Sequence, residues 1–141
     1  MEKSDQVRES LIQCADALFQ RWGIRKTSLE DIAREAGKAK SSIYYYFPNK
    51  EAVIEAVVMA QANRIVGDIH KEIEGKNTAK EKLLAYVTTC FRETRRAASL
   101  FEVARGEIRP NPALIHEIMR RFRALQMEEV EGILRYGTRR K

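Results

Sequence analysis

The sequence predicts an all-α protein: an N-terminal three-helix helix-turn-helix module followed by a helical bundle, about seven helices in all. Three observations carry this expectation. Apolar residues recur at three- and four-residue intervals through most of the 141 positions. Breakers are sparse, seven glycines and three prolines, in a chain that is 33% charged. Helix-capping residues stand just ahead of the periodic runs.

The first helix runs from Ser4 to Trp22, with Val7, Leu11, Ala15, Leu18, Phe19 and Trp22 on one stripe, and Gly23 stops it. Trp22 reads as a core plug for the three-helix module. Ser28 caps a second, two-turn helix. Its Glu30 and Asp31 sit at the positive end of the dipole, and Gly37 supplies a left-handed exit. Leu29, Ile32, Ala33 and Ala36 form its inner face. The next run, KSSIYYYF, has strand propensity. It does not alternate, however, it lies between helical segments and it has no second strand to pair with, so it reads as a short helix ending before Pro48. Consecutive residues of a helix diverge, so its three tyrosines cannot all be core. Tyr46 is expected to face inward with Ile43 and Phe47, and Tyr44 and Tyr45 outward.

Asn49 caps a long helix to Glu74, apolar through Val53, Ile54, Val57, Val58, Ile65, Val66, Ile69 and Ile73. Thr78-Ala-Lys-Glu81 reads as a capping box opening a helix to Ala97, with Leu83, Leu84, Val87, Cys90 and Phe91 inside. A shorter helix, Leu100–Ile108, ends at Pro110 and Pro112. The last runs from Ala113 to Tyr136, amphipathic from Leu114 to Leu134.

Twenty-six Lys and Arg against twenty Asp and Glu give a net charge of +6, which favours a polyanionic partner. No apolar run approaches the ~18 residues of a membrane span. The polar start MEKSDQVRES carries no signal-peptide core. A cytoplasmic protein with no membrane partner is expected. Cys14 and Cys90 belong to no C-x-x-C pair and read as buried, inert thiols. His70 and His116 lack partners at metal spacing, so no metal or other cofactor is expected. An enzyme is disfavoured, because no Ser/His/Asp set, glycine-rich phosphate loop or H-E-x-x-H helix occurs, and Glu102 and Glu107 lack a partner pattern.

Two short helices joined by a tight turn at Gly37, behind a third, fit the helix-turn-helix plan. In that plan the second short helix enters the major groove and the first crosses the backbone. From Ala36 to Lys50 there are three lysines, two serines, three tyrosines and no acidic residue. The first fifty residues as a whole hold nine basic and seven acidic groups, only +2. An alternative keeps the helix-turn-helix but turns it to protein contact, as a helical adaptor.

The run from Phe19 to Val53 carries Gly-x-x-x-Thr-Ser, Ile-Ala-x-x-Ala-Gly and Ile-Tyr-x-Tyr-Phe-x-x-Lys-Glu. It resembles the TetR (tetracycline-repressor-like) family of bacterial transcriptional regulators. The resemblance implies a DNA-binding domain over 1–49, with the helix-turn-helix at 28–47, and a helical effector-binding domain over 50–141 lacking the usual last two helices. It implies that Thr27, Ser28, Tyr44 and Lys50 contact phosphates, while Lys38, Lys40, Ser41, Ser42 and Tyr45 lie at or near the groove. Lys40 suits guanine and Ser41 or Ser42 several base edges, so no operator sequence is readable. Where the family often has Val-Ser, this chain has Lys38-Ala39. That removes a serine N-cap worth ~1 kcal/mol and adds a lysine able to reach phosphate. The resemblance further implies a repressor, acting as a homodimer on a palindromic operator and released by a small, hydrophobic effector. Candidate effector-lining residues are Met59, Phe91, Phe101, Arg105, Met119 and Phe122, although filling the core is the commoner role for each taken alone.

Overall fold

The computed structural model describes residues 3–97, 102 and 112–139. Among these the chain forms six helices and no strand: α1 (Lys3–Trp22), α2 (Leu29–Glu35), α3 (Lys40–Tyr46), α4 (Lys50–Glu74), α5 (Ala79–Arg96) and α6 (Pro112–Arg139). The helix expected over Leu100–Ile108, like Phe101 and Arg105, lies almost wholly outside the described residues, as do the side chains of Leu114, Ile115 and Ile118.

The caps act as their residue types predict, with one shift. Ser28 and Asp31 form a reciprocal capping box at the start of α2: Asp31 N–H donates to Ser28 Oγ at 3.1 Å and Ser28 N–H to Asp31 Oδ2 at 2.9 Å. At the other end, Lys38 N–H donates to Ala33 O at 2.8 Å and Gly37 N–H to Arg34 O at 3.0 Å. This double closure is a Schellman motif, and it requires the left-handed φ of +68° that Gly37 adopts. Asn49 Oδ1 caps α4 by accepting from Ala52 N–H at 2.9 Å. At α5, Thr78 Oγ1 accepts from Glu81 N–H, but Glu81 Oε2 accepts from Asn77 N–H rather than that of Thr78. The expected box is therefore displaced backward by one residue on its carboxylate side.

One continuous core runs from α1 to α6. Leu11, Ile12, Ala15, Leu18 and Phe19 of α1 meet Ile32 and Ala33 of α2, Ile43 of α3 and Val53, Val57 and Val58 of α4. The same cluster continues through Ile65, Ile69 and Ile73 to Ile133 of α6. A buried polar tie crosses it where Gln61 Nε2 donates to Asp16 Oδ1 at 2.7 Å, joining α4 to α1. His70 ties α4 to α6, with Nε2 2.9 Å from Glu74 and Nδ1 3.1 Å from Glu129. Cys14 and Cys90 are half-buried rather than fully enclosed, and burial pushes the Cys14 thiol pKa up.

Two sequence expectations are corrected. Trp22 is not a core plug: it is 47% exposed, with the Arg21 guanidinium 6.0 Å above its ring. The chain turns at Gly23, and Ile24 is buried in the core just beyond it. The apolar stripe of α5 is also not inside, since Leu83, Leu84, Val87 and Phe91 are exposed and Lys82, Ala85 and Thr89 are buried instead. The reason is closeness of approach. Small Ala85 and Thr89 let α5 lie against its neighbours, while Lys82 donates to Ile73 O at 2.9 Å and satisfies a carbonyl at the C-terminal end of α4. The Lys82 ammonium also sits 4.4 Å from the centroid of the Tyr136 ring.

These placements separate two large side chains on α1. Leu18→Ala should lower unfolding stability by about 2–5 kcal/mol through the cavity it leaves. Trp22→Ala should cost under about 1.5 kcal/mol, because half of its ring already meets water. Denaturant unfolding of both variants checks the difference.

Candidate nucleic-acid interface

α3 has seven residues, and its outward face follows from which of them are buried. Ile43 and Phe47 point into the core, and the Arg8 guanidinium of α1 covers the outer side of Phe47 at 5.1 Å from the ring centroid. Tyr46 is half-buried against the core and stacks edge-on with Tyr45, their ring centroids 5.0 Å apart. With that side fixed, Lys40, Ser41, Tyr44 and Tyr45 project outward, Ser42 lies on the flank, and Lys38 stands exposed in the turn before the helix. Tyr45 is the most open of the three tyrosines, at 80%. The N-cap position holds Ala39, with no side-chain cap bond, as its residue type requires.

The flank of α3 carries the second part of the site. Arg25, Lys26, Ser28, Tyr44 and Lys50 gather around a surface pocket of ≈ 330 Å³, with Glu30 on its rim. Burial pushes the Lys50 ammonium pKa down, and the nearby Asp31 carboxylate partly opposes this. Its Nζ lies 3.5 Å from Arg25 O, so the backbone before α2 holds the ammonium in place. An anion entering the pocket would offset, by Coulomb attraction, the desolvation that burial imposes. Ser28 Oγ accepts from Asp31 N–H in the capping box, and hydrogen bonds from the Ser28 backbone and hydroxyl hold the Asp31 carboxyl below its usual range.

Thr27 behaves differently from its neighbour. It is 1% exposed, and its hydroxyl proton goes to Gly23 O at 2.9 Å. Thr27 therefore braces the turn between α1 and α2, its hydroxyl proton engaged there while the residue lines the floor of the same pocket. Lys40 is exposed but does not stand free: Glu30 of α2 holds its ammonium in an ion pair. Hydrogen bonding from Lys40 holds the Glu30 carboxyl below its usual range, and Glu30 in turn raises the Lys40 pKa. Arg25 and Lys26 are additions that the sequence reading missed. Their signal was the basic pair directly before Thr27-Ser28.

Phe101 and Arg105 lie outside the described residues, and the other candidate effector residues fall in two places. Met59, Met119 and Phe122 are half-buried and pack against the core. Phe91 instead lines an open groove with Tyr86, Val87, Cys90 and Arg95. Among the described residues no cluster of His, Cys, Asp and Glu could hold a metal ion, and no helix is long and apolar enough to cross a membrane.

Residues 11–57, which span α1 to the first turns of α4, match the family described as bacterial regulatory proteins, tetR family. Over that segment, the N-terminal third of the chain, the sequence is similar to the tetR family. The chain's TetR-type fold is shared with a solved transcriptional regulator of Cytophaga hutchinsonii, at a TM-score of 0.79 and 29% identity over 92% of this chain and 66% of that one. A transcriptional repressor of Rhodococcus jostii, KstR2, is 25% identical over 93% of this chain and 67% of its own length. The fatty acid metabolism regulator protein of Bacillus subtilis is 26% identical over 90% of this chain and 66% of its own length. The chain thus spans about two thirds of the length of the relatives it matches.

Neighbouring hydroxyls with different partners give a direct check. Thr27→Val should lower stability by about 1 kcal/mol, since Gly23 O loses its buried donor, and leave DNA affinity unchanged. Ser28→Ala should cost about 1 kcal/mol through the lost cap and also weaken DNA binding. Thermal unfolding and fluorescence anisotropy with a labelled duplex separate the two effects.

Proposed function

We propose that this protein is a cytoplasmic transcriptional repressor of the TetR family that places α3 in the major groove of duplex DNA. The observation that carries this reading is the pairing of two surfaces. One is the acid-free outward face of α3, with Lys40, Ser41, Tyr44 and Tyr45. The other is the cationic pocket beside it, where Ser28, Tyr44 and Lys50 meet Arg25 and Lys26. The pocket would take backbone phosphates and set register, while α3 with Lys38 and Ser42 at its edges would read bases. A homodimer on a palindromic operator would bring two such readers to half-sites one helical turn apart.

Release by a small, apolar effector between the helices after Asn49 completes the proposal. α4 begins at Lys50 in the phosphate pocket and continues into the bundle, so a shift along α4 would move the reading surface. An effector achieves this only through differential affinity for the two positions of α4.

Binding to duplex DNA should fall with added salt, with a log–log slope of about −0.9 per phosphate contacted. Lys50→Ala should weaken binding to every duplex and make that slope shallower by about 0.9, whereas Lys40→Ala should also relax preference at one base-pair position. Selection from a random duplex pool, followed by salt titrations on the selected site, measures both. A flat salt dependence would favour the adaptor reading instead.

The Lys40–Glu30 pair adds a signed expectation. Glu30→Gln removes the carboxylate that competes with DNA for the Lys40 ammonium, so affinity for duplexes of any sequence should rise. Unchanged or weaker binding in the same titration would remove Lys40 from the interface.

A further inference from the structure

The outward face of α5 ends in a groove against α6 of ≈ 520 Å³, within the range of small-molecule sites. Tyr86, Val87, Cys90 and Phe91 form its apolar wall, and Phe91 is 69% exposed along it. α6 contributes Gln126, whose Nε2 donates to the Cys90 sulfur at 3.3 Å. Arg95 lies one helical turn beyond Phe91 and lines the same groove. The neighbouring arginines are already engaged: Arg92 and Arg96 both reach Glu93, at 2.9 and 3.5 Å. Among the described residues Arg95 has no carboxylate partner. An apolar wall that ends in one uncommitted guanidinium is complementary to a molecule with an apolar body and a planar anionic head.

We propose that this groove binds an amphipathic organic carboxylate, its apolar part along Val87 and Phe91 and its carboxylate on Arg95. The inference rests on the effector reading above and specifies the chemistry of that effector. A neutral hydrophobe would make no use of Arg95, and a second copy of this chain on the same face would bind with a dependence on protein concentration.

Calorimetric titration of the whole chain with decanoate, and separately with 1-decanol, tests the proposal. Decanoate should bind saturably, with 1-decanol about tenfold or more weaker. Arg95→Gln should lower decanoate affinity about tenfold without changing that of 1-decanol, and Arg95→Lys should restore part of it. Arg92→Gln should leave both unchanged. Phe91→Ser should weaken both ligands, with circular dichroism verifying that each variant is folded. Equal binding of acid and alcohol, indifference to Arg95→Gln, absence of saturable binding, or a signal that follows self-association in sedimentation would each overturn the assignment. Duplex binding by the same samples is read separately. DNA release by decanoate supports the site as effector site, and decanoate binding without release overturns that role. Arg95-dependent decanoate binding by a protein that ignores DNA would overturn the repressor reading while leaving the ligand class standing.

Discussion

A helix of seven residues does not hold itself together in water, so α3 exists because Ile43 and Phe47 are buried beneath it. Everything at the candidate interface depends on that burial. With those two side chains inside, the geometry of the helix turns Lys40, Ser41, Tyr44 and Tyr45 outward, and no other rotation of α3 is compatible with the core. The Schellman turn at Gly37 sets the angle between α2 and α3, and the buried Thr27 hydroxyl fixes the turn before α2. Burial beneath α3 and two hydrogen-bonded turns therefore position its short outward face.

α4 connects that surface to the rest of the molecule. Its first residue, Lys50, lines the cationic pocket beside α3, while its apolar side supplies core contacts from Val53 to Ile73. The Asp16–Gln61 hydrogen bond crosses from α1 to α4 at the buried Gln61 side chain, and Arg64 of α4 adds an ion contact to the same carboxylate. A displacement of α4 consequently has to carry α1 with it or break that bond. Farther along, His70 bridges Glu74 and Glu129, so α4 is anchored to α6 as well as to the reading module. This gives a physical route between groove and interface that needs no contact between them.

The acid-free run from Ala36 to Lys50 was legible because charge and periodicity are properties of neighbouring residues. The caps at Ser28 and Asn49 were legible for the same reason, since each acts within three residues of itself. The errors share a different origin. Thr27 and Ser28 are adjacent hydroxyls of similar chemistry, and only the fold buries one and exposes the other. The Lys40–Glu30 ion pair was not legible either, because Glu30, ten positions away in sequence, becomes the partner only once α2 and α3 meet. Arg25 and Lys26 join the pocket because the turn before α2 brings them beside Lys50.

α5 shows most plainly where local pattern stops being informative. Its sequence contains two faces that could be covered, one of Leu83, Leu84, Val87 and Phe91 and one of Lys82, Ala85 and Thr89. Hydrophobicity alone selects the first, whereas packing against the end of α4 selects the second, because small side chains and a carbonyl-seeking lysine fit there. Among the described residues, helix existence and the caps at Ser28 and Asn49 are short-range matters, and the residues themselves were enough for them. Which face is buried, which hydroxyl is enclosed and which cation is paired depend on groups distant in sequence, so those were settled only by the assembled tertiary structure.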